Sequence, residues 1–138
     1  MKKTFVLAVS LIFLLLPLAA QTITVNSPNG GENWVIGSTA SILWISSDVP
    51  TVRIVLYKGG TAAENRVGVI ANGLQAATGG YSWLVGDYIG GTVSAGGDYY
   101  IRVRSESDTT DDISAAPFIL SNPPPPRSTM SHAGGNDQ

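Results

Sequence analysis

Apolar and polar residues alternate with period two along most of the chain, and no stretch sustains the 3.6-residue repeat of an amphipathic helix. Thr22 to Asn26 sets Ile23 and Val25 on one face. Ser38 to Ser46 puts Ala40, Ile42 and Trp44 on one side, with Ser41, Leu43 and Ile45 opposite. Thr51 to Lys58 opposes Val52, Ile54 and Leu56 to Arg53, Val55 and Tyr57. Arg66 to Ala71 is a short apolar strand, and Gly80 to Val85 presents Tyr81, Trp83 and Val85 together. Asp98 to Ser105 opposes Tyr99, Ile101 and Val103 to Tyr100, Arg102 and Arg104, and a last strand runs from Pro117 to Ser121, with Ile113 as an earlier possible start. Seven runs of this kind, separated by turn signals, predict an all-β sandwich of about seven antiparallel strands.

The turn signals are glycine pairs at Gly30-Gly31, Gly59-Gly60, Gly79-Gly80, Gly90-Gly91 and Gly96-Gly97, each expected in a connection. Segments of different length and content separate them, so they are not a repeat. They form neither a G-x-x-x-x-G-K-[ST] loop nor a strand–G-x-G-x-x-G–helix unit, which removes the phosphate-cradling reading. The run Ser27 to Trp34 is expected to be the first corner of the sandwich.

The amino-terminal 20 residues stand apart. Lys2 and Lys3 precede an apolar run from Phe5 to Leu16, Pro17 breaks it, and Leu18-Ala19-Ala20 offers a small-residue cleavage site. This is the layout of a secretory signal peptide, and the run is short of the roughly 20 apolar residues of a spanning helix. The expected organisation is a signal peptide over 1–20 cleaved near Ala20, a β-sandwich over 21–122, and a Pro-rich linker and disordered tail over 123–138. Without residues 1–20 the chain keeps six basic and ten acidic side chains, a formal charge of −4. No basic footprint for nucleic acid is present, and no membrane span is expected after cleavage. There are no cysteines, so the domain is expected to stand on its core alone. The expected location is secreted, periplasmic or cell-envelope.

The strings ITVNSPNGGENWVIGSTASILW, VRIVLYKGG, GGYSWLV and GGDYYIRVRSESD occur in this order between Thr22 and Asp108. Together they resemble the immunoglobulin-like module of the Ser-Thr-rich GPI-anchored membrane-protein family, in its bacterial and archaeal secreted form. That module is similar to the N-terminal domain of yeast cell-wall glucan-assembly proteins. The resemblance covers roughly Thr22 to Leu120 and implies an immunoglobulin-like β-sandwich in an extracellular or envelope protein. It brings no catalytic residues.

Candidate chemistry is sparse. The only histidine, His132, lies in the tail beyond Pro123–Pro126, which removes Ser-His-Asp and Cys-His arrangements, and zinc lacks both its His and its Cys ligands. Carboxylates fall mostly in predicted turns and strand ends, where solubility explains them, so the chain reads as a non-enzyme needing no cofactor. Glu106, Asp108, Asp111 and Asp112 are the best calcium candidates, but their spacing misses the EF-hand pattern and a solvated turn is the favoured reading.

Trp44 and Trp83 share faces with Ile42, Tyr81 and Val85 and are expected in the core, while Trp34 is expected to sit in the turn and plug one end. Exposed tryptophans would favour the alternative function, a carbohydrate-binding module for cell-surface or extracellular glycans. On the face opposite the core, Arg53 and Tyr57 of one strand and Tyr100, Arg102 and Arg104 of another project together if the two strands are neighbours. That face is the candidate surface for an extracellular protein or an anionic glycan. The competing reading is a solvated sheet face whose arginine stems cover tyrosine rings. The function expected from the sequence is a non-catalytic interaction or spacer module.

Overall fold

The computed structural model describes residues 12 and 14–127. Eleven strands lie between Thr22 and Ser121: β1 (Thr22–Ser27), β2 (Asn33–Val35), β3 (Thr39–Ser47), β4 (Thr51–Lys58), β5 (Arg66–Gln75), β6 (Gly80–Leu84), β7 (Asp87–Tyr88), β8 (Gly91–Thr92), β9 (Gly96–Ser105), β10 (Asp111–Ile113) and β11 (Phe118–Ser121). One sheet has the order β1-β3-β6. The other runs β2-β11-β9-β4-β5, with β10 also paired to β9. This is an immunoglobulin-like β-sandwich, and its seven longer strands are the seven that alternation marks out.

The faces that the pattern assigns on β1, β3, β4, β6 and β9 are turned to the core. Ile42 and Trp44 are buried on β3 while Ile45 opposite is 64% exposed, and Tyr99, Ile101 and Val103 are buried on β9. The core joins Ile23 and Val25 of β1 to Val52, Ile54 and Leu56 of β4 and to Phe118 and Leu120 of β11. Trp83 sits at its aromatic end, edge-on to Trp34 at 6.1 Å and to Phe118 at 6.4 Å between ring centroids. Buried indole nitrogens need acceptors. Trp44 Nε1–H donates to the Ala76 carbonyl at 2.9 Å, and Trp83 Nε1–H to that of Asp87 at 2.7 Å.

The short strands follow from partners rather than pattern. β2 pairs parallel with β11, Trp34 opposite Leu120, so Trp34 is a strand residue packed on Phe118 at 5.3 Å and not a turn residue. β10 and β11 share one side of β9, β10 along Arg102–Arg104 and β11 from Gly96 to Tyr99. In the gap between them buried Ser114 accepts from Ile101 N–H through its hydroxyl at 3.2 Å and donates its own N–H to the Ile101 carbonyl at 2.9 Å. The Gly86–Gly97 connection holds the β7-β8 hairpin, and Gly96-Gly97 opens β9 instead of forming a turn.

The corner at Ser27–Glu32 is closed by one side chain. Glu32 accepts from the backbone N–H of Asn29 and of Gly30, both at 2.7 Å. Gly30 has φ +132°, and a Cβ there would lie 2.5 Å from the Ala116 Cβ, so only glycine fits.

Candidate partner-binding face

β4 and β9 are antiparallel neighbours in a register that sets Arg53 opposite Arg104, Val55 opposite Arg102 and Tyr57 opposite Tyr100. All five candidate residues therefore lie on the outer face of the larger sheet. β5 adds a sixth through a bulge: its register shifts between Leu56 and Tyr57 of β4, which places Arg66 opposite Tyr57. A shallow concavity of about 40 Å³ is lined by Arg53, Val55, Tyr57, Arg66, Arg102 and Arg104.

The face is less flat than alternation suggests. Val55 and Tyr57 point away from the core, yet they are only 4% and 5% exposed. The reason is the arginine layer above them, with Arg102 Cζ 4.8 Å from the centre of the Tyr57 ring. Long side chains cover apolar surface with their stems and keep their charge at the water boundary, and such a cation–π contact is worth about 0.5–1 kcal/mol near the surface. Tyr57 is therefore a floor rather than a free phenol, while Tyr100 remains partly exposed.

Charge on this face is unbalanced. Arg102 lies 3.3 Å from Asp111 through Nε and Oδ2, and its Nη2 donates to the Thr61 carbonyl at 3.2 Å. Arg53 Nε lies 4.0 Å from Glu106 Oε1, but that carboxylate is already held by the Gly73 N–H at 3.2 Å. Neither Nε makes a hydrogen bond of good geometry although both atoms are buried, so the two ion pairs are Coulombic contacts only. Among the described residues, Arg66 and Arg104 have no ion pair. Four guanidinium groups thus stand against two carboxylates, and Arg53 directly faces Arg104, a like-charge cross-strand pair that costs stability.

The acidic residues from Glu106 to Asp112 do not converge. Asp112 accepts from Val25 N–H at 2.8 Å, on β1 of the other sheet. Asp108 accepts from Thr110 N–H at 2.6 Å and from the Ser105 and Ser107 hydroxyls at 3.1 and 3.3 Å. The bonds from Thr110 foremost, helped by the Ser105 and Ser107 hydroxyls, hold its carboxyl below the usual range against the opposing effect of desolvation. With Asp111 beside Arg102 and Glu106 at Gly73, each carboxylate serves a different neighbour. No group of three or more His, Cys, Asp or Glu residues with metal-binding geometry occurs among the described residues. His132 lies outside them.

Two other concavities are present. The larger, about 550 Å³, is walled by Leu18, Ala19, Ala20, Gln21, Asp48 and Thr110, and so depends on residues ahead of the expected cleavage point. A groove of about 240 Å³ lies between β5 and β6, lined by Tyr81, Tyr88, Asp87 and the exposed side chains of Leu84 and Ile89, with Trp83 and Ile70 at its base. Trp44 and Trp83 are 2% and 1% exposed, and Trp34 is half-buried against Trp83 and Phe118. Sequence reasoning did not find the two tyrosines. Tyr81 reads as a core position beside Trp83, and Tyr88 sits in a segment without periodicity.

The sandwich defines a class, an immunoglobulin-like domain, and a domain of this class fits a non-catalytic interaction or spacer module. The chain belongs to the Kre9/KNH-like N-terminal Ig-like domain family, whose model matches residues 27–116. No curated protein sequence matches it. Among solved structures it is similar to the fibronectin(III)-like modules of Clostridium thermocellum CbhA, at 18% identity and a TM-score of 0.41 over 72% of this chain and 94% of that one. It is also similar to a chimeric titin Z1Z2 functionalized with a KLER exogenous peptide from decorin, at 19% identity and a TM-score of 0.33 over 75% of this chain and 50% of that one. At these values neither likeness bears on function. The cell-wall family is consistent with a secreted or envelope protein, and no helix among the described residues is long and apolar enough to cross a membrane.

Proposed function

We propose that this protein is a non-catalytic, secreted or envelope-associated interaction module that docks an acidic extracellular partner on Arg53, Tyr57, Tyr100, Arg102 and Arg104. Residues 1–20 act as the export signal, 21–122 form the binding domain, and 123–138 serve as a Pro-rich spacer, since tetraproline favours a stiff extended chain. The observation that carries the reading is the charge imbalance: four arginines and two carboxylates on one face of a protein whose overall charge is negative. A partner's oxyanions would relieve the opposition of Arg53 and Arg104 and supply the missing acceptors. The test is binding of the chain to an array of acidic and neutral glycans and acidic proteins, at low and physiological salt. Salt-sensitive binding to acidic members, lost in the Arg102→Ala/Arg104→Ala double variant, is expected. Binding that survives the double variant would remove the face from the mechanism.

The groove between β5 and β6 favours a second reading, a carbohydrate-binding module, because Tyr81 and Tyr88 offer ring faces and Asp87 a hydroxyl acceptor. Tyr88→Ala should then abolish binding of a neutral oligosaccharide. Unchanged binding in that variant would end the reading.

A further inference from the structure

We infer that Arg53, Arg66, Arg102 and Arg104 form a socket for a single carboxylate carried by a uronic-acid residue of an acidic polysaccharide. The inference rests on the reading of this face as the partner surface and names the group it takes.

Size is the first argument. The concavity of about 40 Å³ is about three times the roughly 10–15 Å³ that a single water needs. It holds one small oxyanion and cannot hold a sugar ring, which must remain outside. Donor geometry is the second. Arg53 and Arg102 each have a carboxylate beside them, Glu106 and Asp111, and Arg102 also donates to the Thr61 carbonyl, whereas Arg66 and Arg104 are exposed and without ion pairs among the described residues. Two paired and two unpaired guanidinium groups around one concavity can meet a carboxylate with forked hydrogen bonds.

The third argument separates a polysaccharide from an acidic protein. A protein partner needs a buried apolar or aromatic anchor at the centre of its footprint. Here the central apolar residues, Val55 and Tyr57, are already covered by the arginines. What remains open is charge, and one partly exposed ring, Tyr100, directly across from Tyr57. A uronic acid matches both, with one carboxylate and one apolar ring face on the same residue.

The test is calorimetric titration of the full chain with a short polygalacturonate oligomer, its neutral galactan counterpart and polyglutamate. The variants are Arg66→Gln and Arg104→Gln, both at exposed positions, with a melting temperature no lower than that of the parent chain as the check on folding. Polygalacturonate should bind, the neutral oligomer should not, and each variant should weaken binding about tenfold. Raising ionic strength from about 0.02 to about 0.15 M should weaken it further. Unchanged affinity in both variants, or equal binding of the neutral oligomer, would overturn the socket. Polyglutamate binding as tightly, with the same sensitivity to the variants, would overturn the sugar assignment and leave the acidic-partner face standing. Silence from both polyanions would defeat the two proposals together.

Discussion

Replacing Trp83 by alanine probes the joint on which the aromatic end of the sandwich depends. The side chain is almost wholly buried, meets Trp34 and Phe118 edge-on, and donates to the Asp87 carbonyl at 2.7 Å. Truncating a buried tryptophan to alanine costs about 3–5 kcal/mol from lost transfer energy and the cavity left behind. The Asp87 carbonyl, left without its indole donor, brings the cost toward the upper end of that range. A domain of this size has roughly 5–15 kcal/mol in total, so the variant loses a large share of it. At about 4–8 °C per kcal/mol, the melting temperature should fall by roughly 12–40 °C. Trp83→Phe retains the ring and most of its area but not the donor, and should lose about 1–2 kcal/mol. Thermal unfolding followed by far-ultraviolet circular dichroism measures both. A fall of less than about 5 °C in Trp83→Ala would show that the aromatic end is not a structural joint. It would also return Trp83 to the list of residues free to meet a ligand.

Asp112→Ala should destabilise the domain by about 1–2 kcal/mol in denaturant titration, because it leaves the Val25 N–H without its charged acceptor. Asp108 has a carboxyl pKa lowered from 3.8 by its hydrogen bonds, so its contribution is full above that value and is lost as pH falls through the lower folded-state pKa. Faster amide exchange of Thr110 in that acid window, absent in Asp108→Asn, is the expected signature. Gly68→Ala would place a Cβ 2.5 Å from Tyr88 Cδ2, so Tyr88 must swing out of the groove. Unfolding experiments should register a loss of about 1–3 kcal/mol, together with altered tyrosine fluorescence.

Period-two alternation was enough to place the seven long strands and the inward faces of β1, β3, β4, β6 and β9, because successive side chains of a strand point to opposite sides of the sheet. It could not place β2, β7, β8 or β10. Strands of two or three residues carry too little pattern, and a distant partner decides them. Trp34 looked like a turn residue because its pairing with Leu120 is invisible locally. The arginine face was legible as far as β4 and β9, whose outward residues share a parity. Arg66 was not, since a bulge in the β4-β5 pairing brings it over Tyr57, and bulges leave no mark in alternation. Arginine stems over tyrosine rings were legible and are found at Tyr57, but the burial of Val55 on the outer face escaped, because parity predicts direction and says nothing about the length of neighbouring side chains. A run of arginines opposite aromatics on adjoining strands was the one available signal.

The parallel pairing of β2 with β11 has a mechanical consequence. Thr22 of β1 pairs with Ser47 and Val52 of β4 with Ser105, whereas Leu120 pairs with Gly96, so the sandwich is entered at one end and left at the other. Tension along that axis draws β2 and β11 in opposite directions. The parallel ladder between them is flanked by further bonds from Gly31 N–H to Pro117, from Ile119 N–H to Glu32 and from Ile36 N–H to Ser121. Arranged along the pull, they share the load and must yield together, where a hairpin pulled from its open end would unzip bond by bond. With β9 spanning about 33 Å, the domain is expected to act as a strut of roughly 3 nm, loaded first at the β1-β3 pairing and then at this clamp.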